Sequence, residues 1–231
     1  MVINMGKLQL ENNKRFERKY VAEANKSWIF RDMLREKKFS KIYSKRKVIS
    51  LYFDTIDFKF FRENIEGVGT RIKPRLRWYK NNNQESSQVN TILELKKKKG
   101  FVGTKIQFNF GKYENSKDII DRAKNFDFQN KISNILKRQV FPVMITSYDR
   151  EYYLNYDKKF RSTIDTNLKV ISLKNFSQKI PLYKEILEIK YDTSYDKDFR
   201  NEIINSKFRF RFQKFSKYVV GLLNLKKNGL I

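Results

Sequence analysis

With 231 residues, 40% of them hydrophobic, the chain is long enough for a core of its own, and we predict a single domain over residues 1–231. It contains no Cys or His, which excludes disulfides, Cys/His zinc sites, thiol nucleophiles and Ser-His-Asp triads, so a bound metal must be a hard cation held by carboxylates. The formal net charge of +26 predicts an anionic partner: nucleic acid, a phosphate-rich small molecule or an acidic membrane surface.

The predicted elements are mostly strands in the first half of the chain. Residues 1–13 are expected to form a loose lead-in, without the apolar stretch of a signal peptide. In chain order we predict a strand at 15–21, a helix at 25–38, a strand at 47–53, a short helical segment at 58–62, a strand at 69–79, a polar loop at 81–88, and strands at 90–98 and 101–110.

The second half mixes helices and strands. We predict a helix at 116–140, strands at 143–156, 161–171 and 183–192, and helices at 196–206 and 216–226. Eight strands joined mostly by short turns favour an α+β fold, an antiparallel eight-stranded β-barrel with flanking helices. No apolar run is long enough to cross a bilayer, so we expect no transmembrane segment and a cytoplasmic protein.

Four basic side chains alternate along the predicted strand at 69–79: Arg71, Lys73, Arg75 and Arg77. In a strand they share one face, and the apolar residues between them share the other. One interpretation is a solvated edge strand, since charged edges protect against aggregation. The other is a face that binds a polyanion, because a row of like charges is otherwise self-repelling.

Three more predicted strands place a Glu two residues before a Lys on one face. These pairs are Glu17 with Lys19, Glu94 with Lys96, and Glu188 with Lys190. Each could be a surface ion pair worth about 0–1 kcal/mol. If the sheet closes with these faces inward, unpaired buried cations would be costly, and an anion would offset them. The carboxylates would then hold the divalent metal that accompanies the anion.

Eight segments together resemble a known family. They are RFERKY from Arg15, VISLYFDT from Val48, RIKPRLRWY from Arg71, LELKKKKG from Leu93, YDREYY from Tyr148, RSTID from Arg161, LEIKY from Leu187 and FSKY from Phe215. In order and spacing they resemble the VTC domain, the catalytic domain of vacuolar transporter chaperone polyphosphate polymerases, which also occurs in bacterial proteins. This domain belongs with the triphosphate tunnel metalloenzymes, which include the CYTH phosphatases and cyclases. The resemblance runs from about Arg15 to Leu223.

The resemblance implies a basic tunnel that binds a triphosphate together with carboxylate-bound Mn²⁺ or Mg²⁺. It implies catalytic phosphate contacts by Arg75, Arg77, Lys96, Arg150 and Arg161. It also implies phosphate binding by Lys19, Lys105, Lys214 and Lys217, to which Arg71, Lys73 and Lys190 are added by their position on the same faces. Glu188 would be the principal metal ligand, with Glu17 and Glu94 as helpers. Arg15 stands where the wider superfamily has a Glu, which fits a VTC-type domain better than a CYTH triphosphatase.

The expected function is therefore transfer of the γ-phosphate of ATP, or of another triphosphate, to a polyphosphate chain. A triphosphate or polyphosphate hydrolase in the same tunnel remains an alternative, because it differs only in the acceptor. A non-catalytic protein that binds polyphosphate or nucleotide is the second alternative. Base stacking by the alternating aromatic and basic run from Lys207 to Phe212 would suit nucleic acid, but we find none of the common nucleic-acid motifs and expect no nucleic acid as partner.

Overall fold

A computed structural model of the protein describes residues 7–11, 15–80, 89–99, 102–204 and 210–231. The strands are β1 (Lys7–Glu11), β2 (Arg15–Glu23), β3 (Phe39–Asp54), β4 (Thr70–Lys80), β5 (Val89–Lys99), β6 (Val102–Tyr113), β7 (Phe141–Asn155), β8 (Arg161–Ile171), β9 (Lys179–Pro181) and β10 (Lys184–Asp192). The helices are α1 (Ser27–Glu36), α2 (Lys59–Glu66), α3 (Ser116–Ala123), α4 (Phe126–Leu136), α5 (Asp196–Asp198) and α6 (Lys217–Lys227). Short 3₁₀ and π segments at Thr193–Tyr195 and Phe199–Ile204 flank α5.

All ten strands belong to one antiparallel sheet, which confirms the predicted α+β barrel fold. The order is β1-β6-β5-β4-β3-β7-β8-β10-β2, with β9 paired to β8. The sheet is not closed, since its edge strands β1 and β2 do not pair with each other in the described residues. Cα atoms of β2 and β6 nevertheless come within 8 Å, and an ion pair of 2.5 Å links Lys96 on β5 to Glu17 on β2. The barrel is thus curled almost to closure.

Alternation along the strands separates an apolar outer face from a polar inner one. Leu76, Trp78 and Leu93 are fully buried on the outer face, in a cluster that includes residues of α3 and α4. Pro74 does not interrupt β4. The pairing between β3 and β4 ends at Arg75, so the absent N–H of Pro74 removes no hydrogen bond between these two strands. The inner face therefore stays in register along the whole of β4.

Helix α6 fills one end of the barrel. Tyr218 and Leu222 pack against inward side chains of β3, β7, β8 and β10. A Cβ on Gly221 would lie 3.0 Å from side-chain atoms of Met144 and Val170, so glycine permits the close approach. The charged part of the interior lies beyond the N-terminus of this apolar helix.

Several predicted boundaries were wrong. Residues 7–11 form a paired strand rather than part of a loose lead-in, and β3 begins at Phe39 rather than Lys47. The predicted helix at 116–140 is two helices, α3 and α4, and 196–206 forms only short helical turns up to Ile204. The predicted loop at 81–88, the last two residues of the predicted helix at 196–206, and residues 207–209 of the aromatic-basic run lie outside the described residues. Of the helices that are described, none is long and apolar enough to cross a membrane.

Asp54 is a buried hydrogen-bonding centre that joins α2 and α6 to the sheet. Its carboxylate is 0% exposed and accepts from the backbone N–H groups of Thr55 at 2.7 Å and of Phe60 and Phe61 at 2.9 Å. The hydroxyl of Tyr218 also donates to it. Burial, followed by the Asp54 charge, raises the pKa of Tyr218, which keeps that donor protonated.

We expect Asp54→Asn to lower the free energy of unfolding by roughly 2–3 kcal/mol, because an amide cannot accept on both sides and places N–H against N–H. Urea unfolding of the two proteins measures this difference. Glu66→Gln, an exposed change near the end of α2, is the control and should stay within about 0.5 kcal/mol of the wild type. An equally small effect for Asp54→Asn would contradict the role given to Asp54.

Candidate functional site

The inner face of the barrel, here called the tunnel, collects charge from seven strands and the start of α6. Side chains opposite each other in register point to the same side of a sheet, so the alternating polar faces meet inside. In the described part of the chain, the buried or half-buried cations on this face include Lys19, Lys73, Arg75, Arg77, Lys96, Lys105, Arg150, Lys190 and Lys217. The buried or half-buried carboxylates described on the same face include Glu17, Glu94, Asp165 and Glu188. Positive charge is therefore in clear excess.

Glu94 is the centre of the β4–β6 side of the tunnel. It is 2% exposed and pairs with Arg75 Nη2 at 2.7 Å, Arg77 Nη1 at 3.4 Å and Lys105 Nζ at 3.5 Å. The amide of Gln107 donates to it at 3.0 Å. Burial would raise the pKa of Glu94, but Arg77, Arg75 and Lys105 hold it well below its usual range. Glu94 thus positions three phosphate-binding candidates and stays ionised.

A second charged group joins β2, β5 and β10 across the open side of the sheet. Lys96 Nζ lies 2.5 Å from Glu17, and Lys190 Nζ lies 2.8 Å from Glu188, with Lys19 Nζ at 3.8 Å from the same carboxylate. Burial opposes ionisation of Glu17, yet Lys96 lowers the pKa of Glu17 to about 2. Burial lowers the pKa of Lys96 to about 8, since Lys19 and Lys190 counteract the attraction of Glu17.

A third group, which the sequence analysis did not assign, surrounds Asp165. Its carboxylate is 0% exposed and accepts a bidentate contact from Arg150, at 2.6 Å from Nε and 2.7 Å from Nη2, and a further bond from Lys217 at 2.5 Å. Burial would raise the pKa of Asp165, but Arg150 and Lys217 lower it to about 2. Arg150 and Lys217 also lie over the ring of Tyr148, 5.2 Å and 4.5 Å from its centroid. In the sequence, the only indication of Asp165 was the alternation within RSTID, which places Asp165 on the same strand face as Arg161.

The segment before α6 closes over these groups. Lys19 donates to the backbone oxygen of Phe215 at 3.0 Å, and Lys73 donates to Ser216 Oγ at 3.1 Å. Ser216 also caps α6 by accepting from the backbone of Val219. The basic strands and the start of α6 are therefore held together at the end of the tunnel.

Three predicted site residues lie at the edges of this arrangement. Arg161 is exposed at the first position of β8, and Lys214 is exposed before α6. Arg71 donates to the backbone oxygen of Val68 at 2.8 Å. The structure does not bring these three into the buried groups, so contact with phosphate by them would have to occur where the tunnel opens.

The carboxylates of the tunnel are the candidate ligands for a divalent metal. Among the described residues, no group of three or more carboxylates could hold a metal ion. Mg²⁺, however, is usually bound by one or two carboxylates and completed by substrate phosphates. Glu17 and Glu188 fit that pattern, because both are ionised and close enough for their charges to interact. Glu94 fits it less well, since three cations and the amide of Gln107 already contact its carboxylate.

Open cavities lie elsewhere on the molecule. One of about 580 Å³ is lined by outer-face residues such as Ile49 and Trp78, and another of about 490 Å³ lies beside α4. Neither touches the tunnel groups described above.

Comparison with solved structures identifies the fold. A proposed adenylate cyclase from Vibrio parahaemolyticus is 11% identical, with a TM-score of 0.52 over 91% of this chain and 99% of that one. A protein of Pyrococcus horikoshii OT3 is 15% identical, with a TM-score of 0.50 over 91% of this chain and 99% of the other. At such low identity these similarities show the fold alone. No curated protein matches the chain.

A family model matches nearly the whole chain. The matched region, residues 14–226, begins just before β2 and ends within α6. It therefore contains all three charged groups of the tunnel as well as the segment that closes over them. A match of this extent establishes the family assignment that the sequence segments between Arg15 and Leu223 suggested. The chain belongs to the VTC domain family.

Proposed function

We propose that the chain is a metal-dependent phosphotransferase that moves the γ-phosphoryl group of ATP onto a polyphosphate chain within the tunnel. The observation that carries this proposal is the excess of cations over carboxylates among the described side chains on the inner face of one barrel. A bound triphosphate would offset that excess, and family membership points to the same substrate class. Polyphosphate would be favoured as acceptor and product because the strand cations continue towards Arg161 and Arg71 at the edges.

The chain's own residues supply what phosphoryl transfer needs. The guanidinium groups of Arg75, Arg77 and Arg150 are planar donors suited to paired phosphate oxygens. They would hold ATP and the chain end in line and stabilise charge on the equatorial oxygens in the transition state. A chain-end oxygen attacks the γ-phosphorus, the bond to the β-phosphate oxygen breaks, and ADP leaves. No covalent nucleophile from the protein is required, which agrees with a chain lacking Cys and His.

Glu188 and Glu17 would hold the divalent cation, which when bound supplies neutralising charge on the phosphates. Their own contribution is to remain ionised: Lys190 and Lys19 act on Glu188, and Lys96 acts on Glu17, to keep both pKa values low against the effect of burial. Exchange of these lysines from carboxylate to phosphate would free the carboxylates when the substrate binds.

Incubation of the purified protein with ATP and Mn²⁺ or Mg²⁺, followed by electrophoresis of the products, tests the proposal. A ladder of polyphosphate chains with matching ADP is the expected result. Release of phosphate from triphosphate without longer chains would establish the hydrolase instead. Triphosphate binding without turnover in either metal would mean a non-catalytic binder. The gel and a phosphate assay separate the first two outcomes, and calorimetry with inorganic triphosphate detects the third, which forms no product.

The low pKa of Lys96 predicts a pH dependence of binding. A bound polyanion favours the protonated ammonium, so the affinity for inorganic triphosphate should fall as pH rises above about 8, by up to about tenfold per unit. Lys96→Arg keeps its charge through this range and should remove that part of the dependence. Calorimetry from pH 7 to pH 9.5 measures the triphosphate affinity of both proteins. Titration of triphosphate itself contributes equally to the two profiles and is removed when they are compared. Identical profiles would show that Lys96 does not contact the anion.

A further inference from the structure

Buried polar atoms without partners are concentrated in the tunnel. In the described part of the chain, six buried side-chain atoms make no hydrogen bond within the protein. Four of them belong to neighbouring strands at one place: Ser50 Oγ, Arg77 Nε, Thr146 Oγ1 and Tyr148 Oη. Each of these residues is more than nine-tenths buried, with exposures of 0%, 7%, 2% and 1%. Buried polar groups are normally paired, so a local cluster of exceptions requires an explanation.

The strand register brings three of these residues into one row. Ser50 on β3 lies opposite Arg77 on β4 and opposite Thr146 on β7. All three therefore point to the tunnel face, and Tyr148 follows Thr146 on the same face two residues later. The row lies at the boundary between the charged interior and the apolar cluster around α6, which contains Tyr52, Met144 and Tyr148.

The hydroxyls of Ser50 and Thr146 make no hydrogen bond within the described part of the protein. Alanine at position 50 and valine at position 146 would occupy nearly the same space without leaving a donor unpaired. Their position is nevertheless well suited to an oxyanion. Two hydroxyl donors stand beside a guanidinium whose Nε is also unpaired and whose Nη1 is only loosely paired with Glu94, at 3.4 Å. Such a set, one cation with neutral donors, complements the oxygens of a single phosphoryl group.

We propose that Ser50 and Thr146 form a hydroxyl subsite that binds the phosphoryl group lying deepest in the tunnel, next to α6, together with Arg77. This inference rests on the proposed function in one respect, that the tunnel binds a triphosphate. The hydroxyls stay unpaired in the free protein and donate to phosphate oxygens in the complex. They are binding residues that no basic motif in the sequence reveals.

Ser50→Ala and Thr146→Val, made separately, test the subsite by two measurements on the intact chain. Removing an unpaired buried hydroxyl should raise the Tm of the free protein by about 2–4 °C. The same change should weaken binding of inorganic triphosphate, measured by calorimetry without metal, by about tenfold, since a hydrogen bond to a charged group is lost. A residue with a purely structural role would not produce these opposite effects.

Thr91→Val is the matched control. Thr91 is also a 0% exposed strand residue, but its hydroxyl donates to the backbone oxygen of Gly111 at 3.1 Å, so its loss should lower the Tm and leave triphosphate affinity unchanged. Unchanged affinity in both tunnel variants, or a fall of their Tm like that of the control, would overturn the proposal. A wild-type protein that binds no triphosphate would instead overturn the proposed function, so the two failures are distinguishable.

Discussion

Glu188→Gln is expected to reduce metal-dependent turnover of ATP by at least about 100-fold while preserving the affinity for triphosphate. Glu188 is 6% exposed, and the cations Lys190, Lys19 and Lys96 keep its pKa well below the usual range despite burial. Gln keeps the shape of the side chain but removes the charge that a divalent cation requires. Lys190 and Lys19 would lose their carboxylate partner and become more available to phosphate, so binding without metal should be equal or tighter.

Glu185→Gln is the control for this change. Glu185 is also 6% exposed on β10, but it lies three residues away and therefore on the opposite face of the strand. It should retain turnover in Mn²⁺ and Mg²⁺. Thermal unfolding of both variants would show that each is folded at the assay temperature. Wild-type turnover by Glu188→Gln would refute the metal assignment and leave the tunnel itself standing, because triphosphate binding is measured separately.

Alternation alone predicted which side chains share the tunnel face. Arg75 and Arg77 point inward because β4 is a regular strand, and the structure shows that Pro74 leaves this regularity intact. The apolar partners Leu76 and Trp78 are buried on the outer side, as the pattern of β4 required. A period-two pattern is a property of the local sequence, so it can be recognised without knowledge of the fold.

The ion pairs between side chains of different strands could not be predicted from this local alternation. The motif containing Glu94 and Lys96 suggested one unit, yet Glu94 pairs with Arg75 on the next strand, and Lys96 reaches across the open side of the sheet to Glu17. Register and curvature decide these partners, and both depend on contacts distant in sequence. Asp165 was overlooked for the same reason, because only the fold brings Lys217 of α6 to it.

The incorrectly predicted boundaries of β3 and of the segment at 116–140 fall where the local sequence pattern does not mark them. Residues 40–45 of β3 are exposed, so they lack the apolar alternation by which strands are recognised. The break between α3 and α4 falls where Asn125 precedes α4, within a stretch whose helical periodicity continues on both sides. In both cases tertiary pairing or packing, rather than local propensity, sets the boundary.

Combined replacement of Arg75 and Arg77 by Ala, together with Glu94→Gln, is expected to weaken triphosphate binding by about 100-fold or more. Two charge-assisted contacts to phosphate are removed, each worth roughly 1.5–3 kcal/mol. The third change is needed because Glu94 is 2% exposed and would otherwise be left as a poorly paired buried carboxylate. Calorimetry with inorganic triphosphate measures the loss of affinity directly, in the absence of turnover.

Glu94→Gln alone separates anion binding from stability. It leaves both arginines in place and frees them from their carboxylate, so triphosphate affinity should not fall even if the protein is less stable. Because the site is largely shielded by the barrel, the affinity of the wild type should also depend less steeply on salt than a surface site would. Equal affinity in the wild type and the triple variant would rule out the β4 arginines as the anion site, and the cations around Asp165 and Glu188 would then have to bind triphosphate without them.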